Sequence, residues 1–362
     1  KLTYPETIEK LTSMNNLNLK YEEKTEKKQD TKIIEEVNKF YQKLFVSNDI
    51  VKEYIHERGI SEFSIEKFEI GYAPASIDTI NFLKSNHYNL PDAIDLGIID
   101  TGTNGLYSRF IERITFPIYS INARLVGFGG RTITGHNAKY VNSPQTKLFN
   151  KSKLLYGYHL AKEHIYKKNR IIVCEGYLDV IMLHQAGFNT AVATLGTALT
   201  QEHLPLLRRG EPKVILAYDG DKAGLAAAFK ASVMLSQSEF EGGVIIFEDG
   251  MDPADMVNKN KINELNEIFA NSIPFTPYAI DYIISKYDIN DANQKQKALL
   301  EANEYLKSLG LIYQDEYKRY LAQKLNIREN LIQISGEKQR LYDVNLSKID
   351  IAELCIIKSI LE

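Results

Sequence analysis

Apolar positions recur at helical spacing near the start of the chain. In KIIEEVNKFYQKLF, Ile33, Ile34, Val37, Phe40, Tyr41 and Leu44 fall on one face and charged residues on the other. The pattern predicts an amphipathic helix packed onto the next part of the chain. From Thr101 the runs become short and β-rich: ITFPIYSINARLVGFGGRTI has Asn122 at a turn and three glycines, Gly127, Gly129 and Gly130, which predicts a small sheet region. From Arg170 strand-like runs (IIVC, TAVAT, VILAY, VIIF) alternate with helix-like ones (YLDVIMLHQAG, TQEHLPLLRR, AGLAAAFKASVMLSQ). Such alternation predicts an α/β fold with a mainly parallel sheet. Beyond Asp255 the pattern is helical to the end, with Leu299, Leu300, Leu306, Leu309 and Leu325 as core positions. There is no internal repeat.

Composition adds further constraints. At 362 residues, 44% of them apolar, the chain is long enough for two or three packed domains. Its two cysteines, Cys174 and Cys355, form no disulfide framework or zinc ribbon, which suits a reducing, cytoplasmic setting. No apolar run approaches the roughly 18 residues of a membrane-spanning helix. The chain opens at Lys1 and stops inside the amphipathic IDIAELCIIKSILE, and is expected to be a piece of a longer protein. Net charge is −3, but between Thr101 and Arg170 twelve lysines and arginines face only Glu112 and Glu163. A basic block in an otherwise acidic chain is the footprint expected where a polyanion lies.

Chemistry concentrates at the strand ends. Open α/β sheets bind ligands outside the carboxyl ends of their strands, and three strands here run into acid: IIVC into Glu175 with Asp179 a helical turn on, VILAY into Asp219 and Asp221, and VIIF into Glu248 and Asp249, followed by Asp252 and Asp255. If strand geometry persists through Asp219 and Asp221, their side chains point the same way. Like charges beside a low-dielectric core must protonate or find cations, and a hard dication with oxygen ligands meets that need. Plainer roles stay open: Asp-Gly as a turn, Asp179 complementing a helix dipole, Asp252 as a cap.

The stretches EGYLDV (175–180), TLGTA (194–198), DGDKAG (219–224) and DPAD (252–255) resemble the Toprim fold of primases, topoisomerases and some nucleases. Around them, RFIERITFPI (109–118), GFGGR (127–131), KYVNSPQT (139–146) and LYG (155–157), with YIHERGI and FEIGYAP upstream, resemble the RNA polymerase domain of DnaG-type bacterial primases. That resemblance implies a Toprim-type parallel sheet flanked by a basic mixed α+β subdomain and a C-terminal helical subdomain. The implied division is a linker over 1–30 after an absent zinc-binding domain, the basic subdomain over 31–168, Toprim over 169–258, helices over 259–340, and the truncated start of a helicase-binding domain over 341–362.

The implied activity is primer synthesis: nucleotidyl transfer from ribonucleoside triphosphates to the 3′ hydroxyl of an RNA primer on single-stranded DNA. Mg2+ or Mn2+ is the implied cofactor, zinc being confined to the absent domain, and the replicative helicase the implied partner. Glu175, Asp219 and Asp221 are the expected catalytic metal ligands, with Asp179, Asp252 and Asp255 as further ligands or supports. Arg109, Arg113, Arg131 and Lys139 are expected to line a groove for phosphates, with Tyr140, Asn142 and Lys222 as nucleotide contacts. Another Toprim enzyme, or a non-catalytic DNA-binding or helicase-recruiting scaffold, remains as the alternative.

Overall fold

A computed structural model describes residues 32–135, 137–247 and 251–332. The expected linker over 1–30, the segment 341–362, and Glu248 and Asp249 therefore lie outside the described residues.

The opening stripe forms α1 (Lys32–Val46), which buries Ile33, Ile34, Val37 and Tyr41. Phe45 is buried in place of the half-buried Leu44, because it continues the i, i+4 row from Tyr41. Two short helices come next, α2 (Asp49–Glu57) and α3 (Glu62–Lys67), opened by Asn48 and Ser61 side chains that accept from the amides of Val51 and Ser64. Then come β1 (Gly71–Ala73), α4 (Ser76–Ser85), α5 (Leu90–Asp95) and the hairpin β2 (Ile99–Gly102) and β3 (Gly105–Ser108).

The basic block folds as predicted into a small sheet. Strands β4 (Arg113–Tyr119), β5 (Leu125–Thr132) and β6 (Tyr140–Asn142) pair antiparallel in the order β1-β4-β5-β6. The chain turns at Ser120–Arg124, around Asn122, where the Ser120 amide donates to Arg124 O at 2.8 Å. Most of β4 and β5 is buried. Gly129 on β5 is required by a close approach: a Cβ there would collide with the ring of Tyr177.

The second sheet is the predicted α/β unit. After α6 (Tyr158–Lys168) come β7 (Arg170–Cys174), α7 (Tyr177–Gln185), β8 (Ala191–Ala193), α8 (Leu204–Leu207), β9 (Lys213–Ala217), α9 (Lys222–Gln237), β10 (Gly242–Ile245), α10 (Pro253–Asn258), α11 (Ile262–Ala270) and β11 (Ile273–Pro274). Strand order is β11-β10-β9-β7-β8, parallel among β10, β9, β7 and β8. Burial of Ile171 to Cys174 and Val214 to Ala217 is what covered parallel strands require. A bridge between Tyr156 and Ala193 closes part of the β8 edge.

Four expectations need correction. TQEHLPLLRR is not one helix: a 3-10 turn at Gln201–His203 gives way to α8, since Pro205 has no amide to bond backward. The helical tail is interrupted by β11, which pairs antiparallel with β10 and carries Pro274 at the sheet edge, where a missing donor is tolerated. VIIF is strand only to Ile245. Leu300 is 56% exposed, because α13 (Ala292–Lys307) turns Ala298, Ala302 and Leu306 inward and leaves Leu300 on the opposite side.

One core, containing Phe116 and Ile118 of β4 with Ile172 and Cys174 of β7, joins the two sheets. Another, formed by α12 (Phe275–Ser285), α13 and α14 (Leu311–Leu325), holds the helical part together. The strand ends are thereby fixed against the basic sheet.

Candidate active site

Glu175 and Asp219 occupy the ends of the neighbouring strands β7 and β9. The Asp219 amide donates to Glu175 Oε1 at 3.3 Å. The chain leaves strand geometry at Tyr218, so Asp219 and Asp221 do not continue one pleated face. Asp221 instead caps α9, its Oδ1 accepting from the Gly224 amide at 2.7 Å. Asp252 caps α10 in the same way, accepting from the Asp255 amide at 2.7 Å. Asp179, on the first turn of α7, accepts from the Gly176 amide at 3.1 Å. The plain capping roles are thus real, and helix starts are also what aims these carboxylates at one edge.

The caps do not remove the electrostatic conflict. Burial and the charges of Asp219 and Asp221 push the Glu175 carboxyl up to about 7, against the pull of the Asp219 amide. Burial, with Asp252, Asp221 and Asp255 close by, raises Asp219 to about 6, and Lys139 of the basic sheet pulls the other way. Asp179, 7% exposed, is driven well above the usual carboxylate range by burial and by Asp252 and Asp219. Asp252 is raised by burial and partly relieved by its backbone amides and by Arg58. These residues feel one another's charge, so the sheet edge is a single acidic field.

Among the described residues no three His, Cys, Asp or Glu side chains close around one point as a ready-made metal cage. The donor set nevertheless fits a hard dication. It is all carboxylate oxygen, its charges repel, and such an ion takes one or two protein carboxylates and completes its shell with water and phosphate.

The basic sheet faces this edge through β6. Tyr177, two residues beyond Glu175 in sequence, is the joint. Its ring stacks on Phe116 of β4 (centroids 5.1 Å, 8°) and meets Tyr156 edge-on at 4.7 Å. Its hydroxyl donates to Asn142 Oδ1, and Asn142 Nδ2 donates to Leu195 O at 2.7 Å. Asn142 therefore spans the two sheets.

The predicted cations divide by exposure. Arg109, Lys139 and Lys222 are exposed. Arg113 and Arg131 are 6% and 4% exposed. Arg113 donates to Lys139 O at 3.4 Å and props that loop from below. Arg131 donates to the Tyr140 hydroxyl and lies over both the Tyr140 ring (5.1 Å) and the Tyr54 ring (5.4 Å), while its buried Nε has no partner.

Tyr54 and Arg58, whose side chains stack at 5.5 Å, are site residues that motif reasoning passed over. They lie in YIHERGI, more than a hundred residues upstream of the acids, and no spacing connects them. Gly224 was also passed over. A Cβ there would collide with Asp219 O and come within 2.9 Å of Glu175 Oε1. Its signal was its place in DGDKAG.

Residues 40–162 match the N-terminal domain of the DNA primase catalytic core, 169–246 the Toprim domain, and 278–330 the DnaB-helicase binding domain of primase. The last range covers most of α12 and all of α13 and α14, within the segment expected as the helical subdomain. A DNA primase of Helicobacter pylori strain J99 is 46% identical over 326 residues, spanning 89% of this chain and 58% of the relative. A DNA primase of Campylobacter jejuni is 41% identical, over 99% of this chain and 61% of the relative. The chain thus spans about three fifths of the length of these curated relatives. Among solved structures, the RNA polymerase domain of Mycobacterium tuberculosis primase DnaG has a TM-score of 0.75 at 30% identity, covering 83% of this chain and 99% of that one. A DnaG primase catalytic domain bound to single-stranded DNA gives 0.74 at 30% identity, covering 84% and 98%.

Proposed function

The chain belongs to the DnaG family of bacterial DNA primases, and on that premise we propose that it is the polymerase part of an enzyme that makes RNA primers on single-stranded DNA. The observation that carries the reading is the coupling of Glu175, Asp219, Asp179 and Asp252 at one sheet edge, with Lys139 close enough to Asp219 to oppose its shift.

Glu175, Asp219 and Asp221 would hold a divalent ion, with Asp179, Asp252 and Asp255 as further ligands or supports. Family membership and the Toprim domain imply a divalent metal; Mg2+, or Mn2+ in its place, suits an all-carboxylate set. Bound there, such an ion supplies charge neutralisation for the attacking 3′ hydroxyl, the α-phosphate and the departing pyrophosphate. The side chains do the rest. The Asp219 amide holds the Glu175 carboxylate in place, and a carboxyl with a pKa near neutrality can give up its proton as the dication binds. Lys139, Arg109 and Lys222 offer exposed charge to template or triphosphate without reading sequence. Tyr140, its ring centroid 6.1 Å from that of Tyr177, and Asn142, which accepts from the Tyr177 hydroxyl, present a face to a nucleotide, and Arg131 beneath them fixes the Tyr140 ring.

The match over 278–330 supports the replicative helicase as a partner, and the reading puts the protein in the cytoplasm at replication forks. No helix among the described residues is long and apolar enough to cross a membrane. The domain division proposed is a basic subdomain over 31–168, Toprim over 169–258 and helices over 259–340.

The direct test is incorporation of labelled ribonucleotide on single-stranded DNA, with and without chelator. Metal-dependent RNA product is expected. Metal-dependent cleavage of DNA with no RNA product would reject the reading in favour of another Toprim activity.

A further inference from the structure

The strands that carry Glu175 and Asp219 past their carboxyl ends carry two cations at their amino ends. Arg170 on β7 and Lys213 on β9 are direct partners in the parallel register. Like charges placed side by side on adjacent strands repel. Neither belongs to an ion pair among the described residues. Arg170 is half-buried, its guanidinium 5.8 Å from the Phe269 ring, and its buried Nε has no hydrogen-bond partner. Burial without a compensating charge lowers its pKa.

Both cations line one cleft of about 520 Å3 between the sheet and the helical subdomain. Pockets that take small ligands have this size and sit at such boundaries. Aromatic side chains supply its apolar wall, among them Tyr313 and Tyr317 of α14, whose rings stack at 6.4 Å and 12°. Tyr313 is 43% exposed, so a flat ligand can reach it. Exposed Glu239 and Glu241 also line the cleft. Their charge offsets part of the pull of Arg170 and Lys213 on any anion, so a ligand seated on the cations is expected to bind weakly. Five residues of strand, about 16 Å, separate Arg170 from Glu175, so the cleft is distinct from the acidic edge.

We infer that this cleft is a second ligand site taking a nucleoside phosphate, its phosphates on Arg170 and Lys213 and its base against Tyr313. The inference is independent of the catalytic reading, because it uses none of the acidic residues of the sheet edge and needs no metal.

The probes are ADP and inorganic pyrophosphate, titrated into the protein in excess EDTA and followed by calorimetry. ADP is expected to saturate at about 1 mM or below, weak but measurable. Removing one charge-assisted phosphate contact in Lys213→Gln should weaken it about tenfold. Tyr313→Ala should weaken ADP while leaving pyrophosphate unchanged, and Asp219→Ala should leave both unchanged. Lys213 and Tyr313 are exposed, so these variants are expected to fold, with thermal melting as the check; Arg170→Gln is a second, more demanding variant. The inference is overturned if ADP fails to bind in EDTA or if Lys213→Gln binds it as tightly as the parent. Equal binding of pyrophosphate and ADP, unaffected by Tyr313→Ala, would overturn the nucleotide assignment and leave a simple anion site.

Discussion

The amide of Asp219 donates to Glu175 Oε1 at 3.3 Å, so the ends of β9 and β7 are joined by the very residues that repel each other when both are ionised. One backbone hydrogen bond does not cancel two buried like charges. The metal-free protein therefore carries electrostatic strain at neutral pH that a dication relieves.

Removing that strain should be visible in stability. Glu175 has its pKa raised from 4.5 to about 7, so its ionised form penalises the fold above pH 7, and the penalty fades as pH falls through 7 toward 4.5. Glu175→Gln in the metal-free protein should then be more stable than the parent at pH 8, by about 1–2 kcal/mol once partial solvent screening is allowed for. The gain should vanish near pH 4.5. Primer synthesis should be lost at every pH. A variant less stable than its parent in EDTA at pH 8 would contradict the charge argument.

Binding of the dication should tighten with pH. Protons on Glu175 and Asp219, titrating at about 7 and about 6, must leave before the carboxylates can ligate. Mn2+ affinity, read by electron paramagnetic resonance, is expected to climb from about pH 5.5 to about pH 7.5 and to level off above. A flat profile over that window would place the ion elsewhere.

Grip on DNA should be separable from catalysis. Lys139 is exposed and acts on Asp219 only through charge, so Lys139→Ala should weaken single-strand binding and reduce the salt dependence by about one counterion. Asp219→Ala should abolish synthesis yet bind DNA at least as well as the parent, since it removes a negative charge from the path of phosphates. Parallel loss of binding in both variants would refute the separation.

Gly224→Ala tests packing at the acidic edge. The added methyl would strike Asp219 O and crowd Glu175 Oε1 at 2.9 Å, so either α9 or the Asp219 peptide must shift. Displacements of this order at a reacting centre cost about a hundredfold in rate. Circular dichroism should stay near that of the parent while primer yield falls; full activity would show that the edge has slack the structure does not suggest.

Most of the secondary structure and the acidic positions were legible in the chain because they depend on local periodicity and on strand-end chemistry. The stripe of Ile33, Ile34 and Val37 predicted α1, and the run from Ile171 to Cys174 into Glu175 predicted a strand with acid at its ligand edge. Errors came where a single residue or a distant partner decides: Pro205 dividing a helix, Ile273 and Pro274 pairing with β10, Leu300 turned outward by the packing of its neighbours.

Several site relationships were beyond local reading. Sequence placed Asp221, Asp252 and Asp179 near a ligand edge and left a cap open for Asp252; the folded chain shows Asp221 and Asp252 capping helices and Asp179 bonded to the Gly176 amide, while they share one field with Glu175 and Asp219. It offered Arg113 and Arg131 as groove cations, whereas the structure buries both as props beneath Lys139 and Tyr140. Tyr54, Arg58, and the pairing of Arg170 with Lys213 depend on strand register and on contacts between residues far apart in the chain. Periodicity constrains neighbours along the backbone; charge coupling, burial and close approach act through space, and the tertiary fold alone sets those distances.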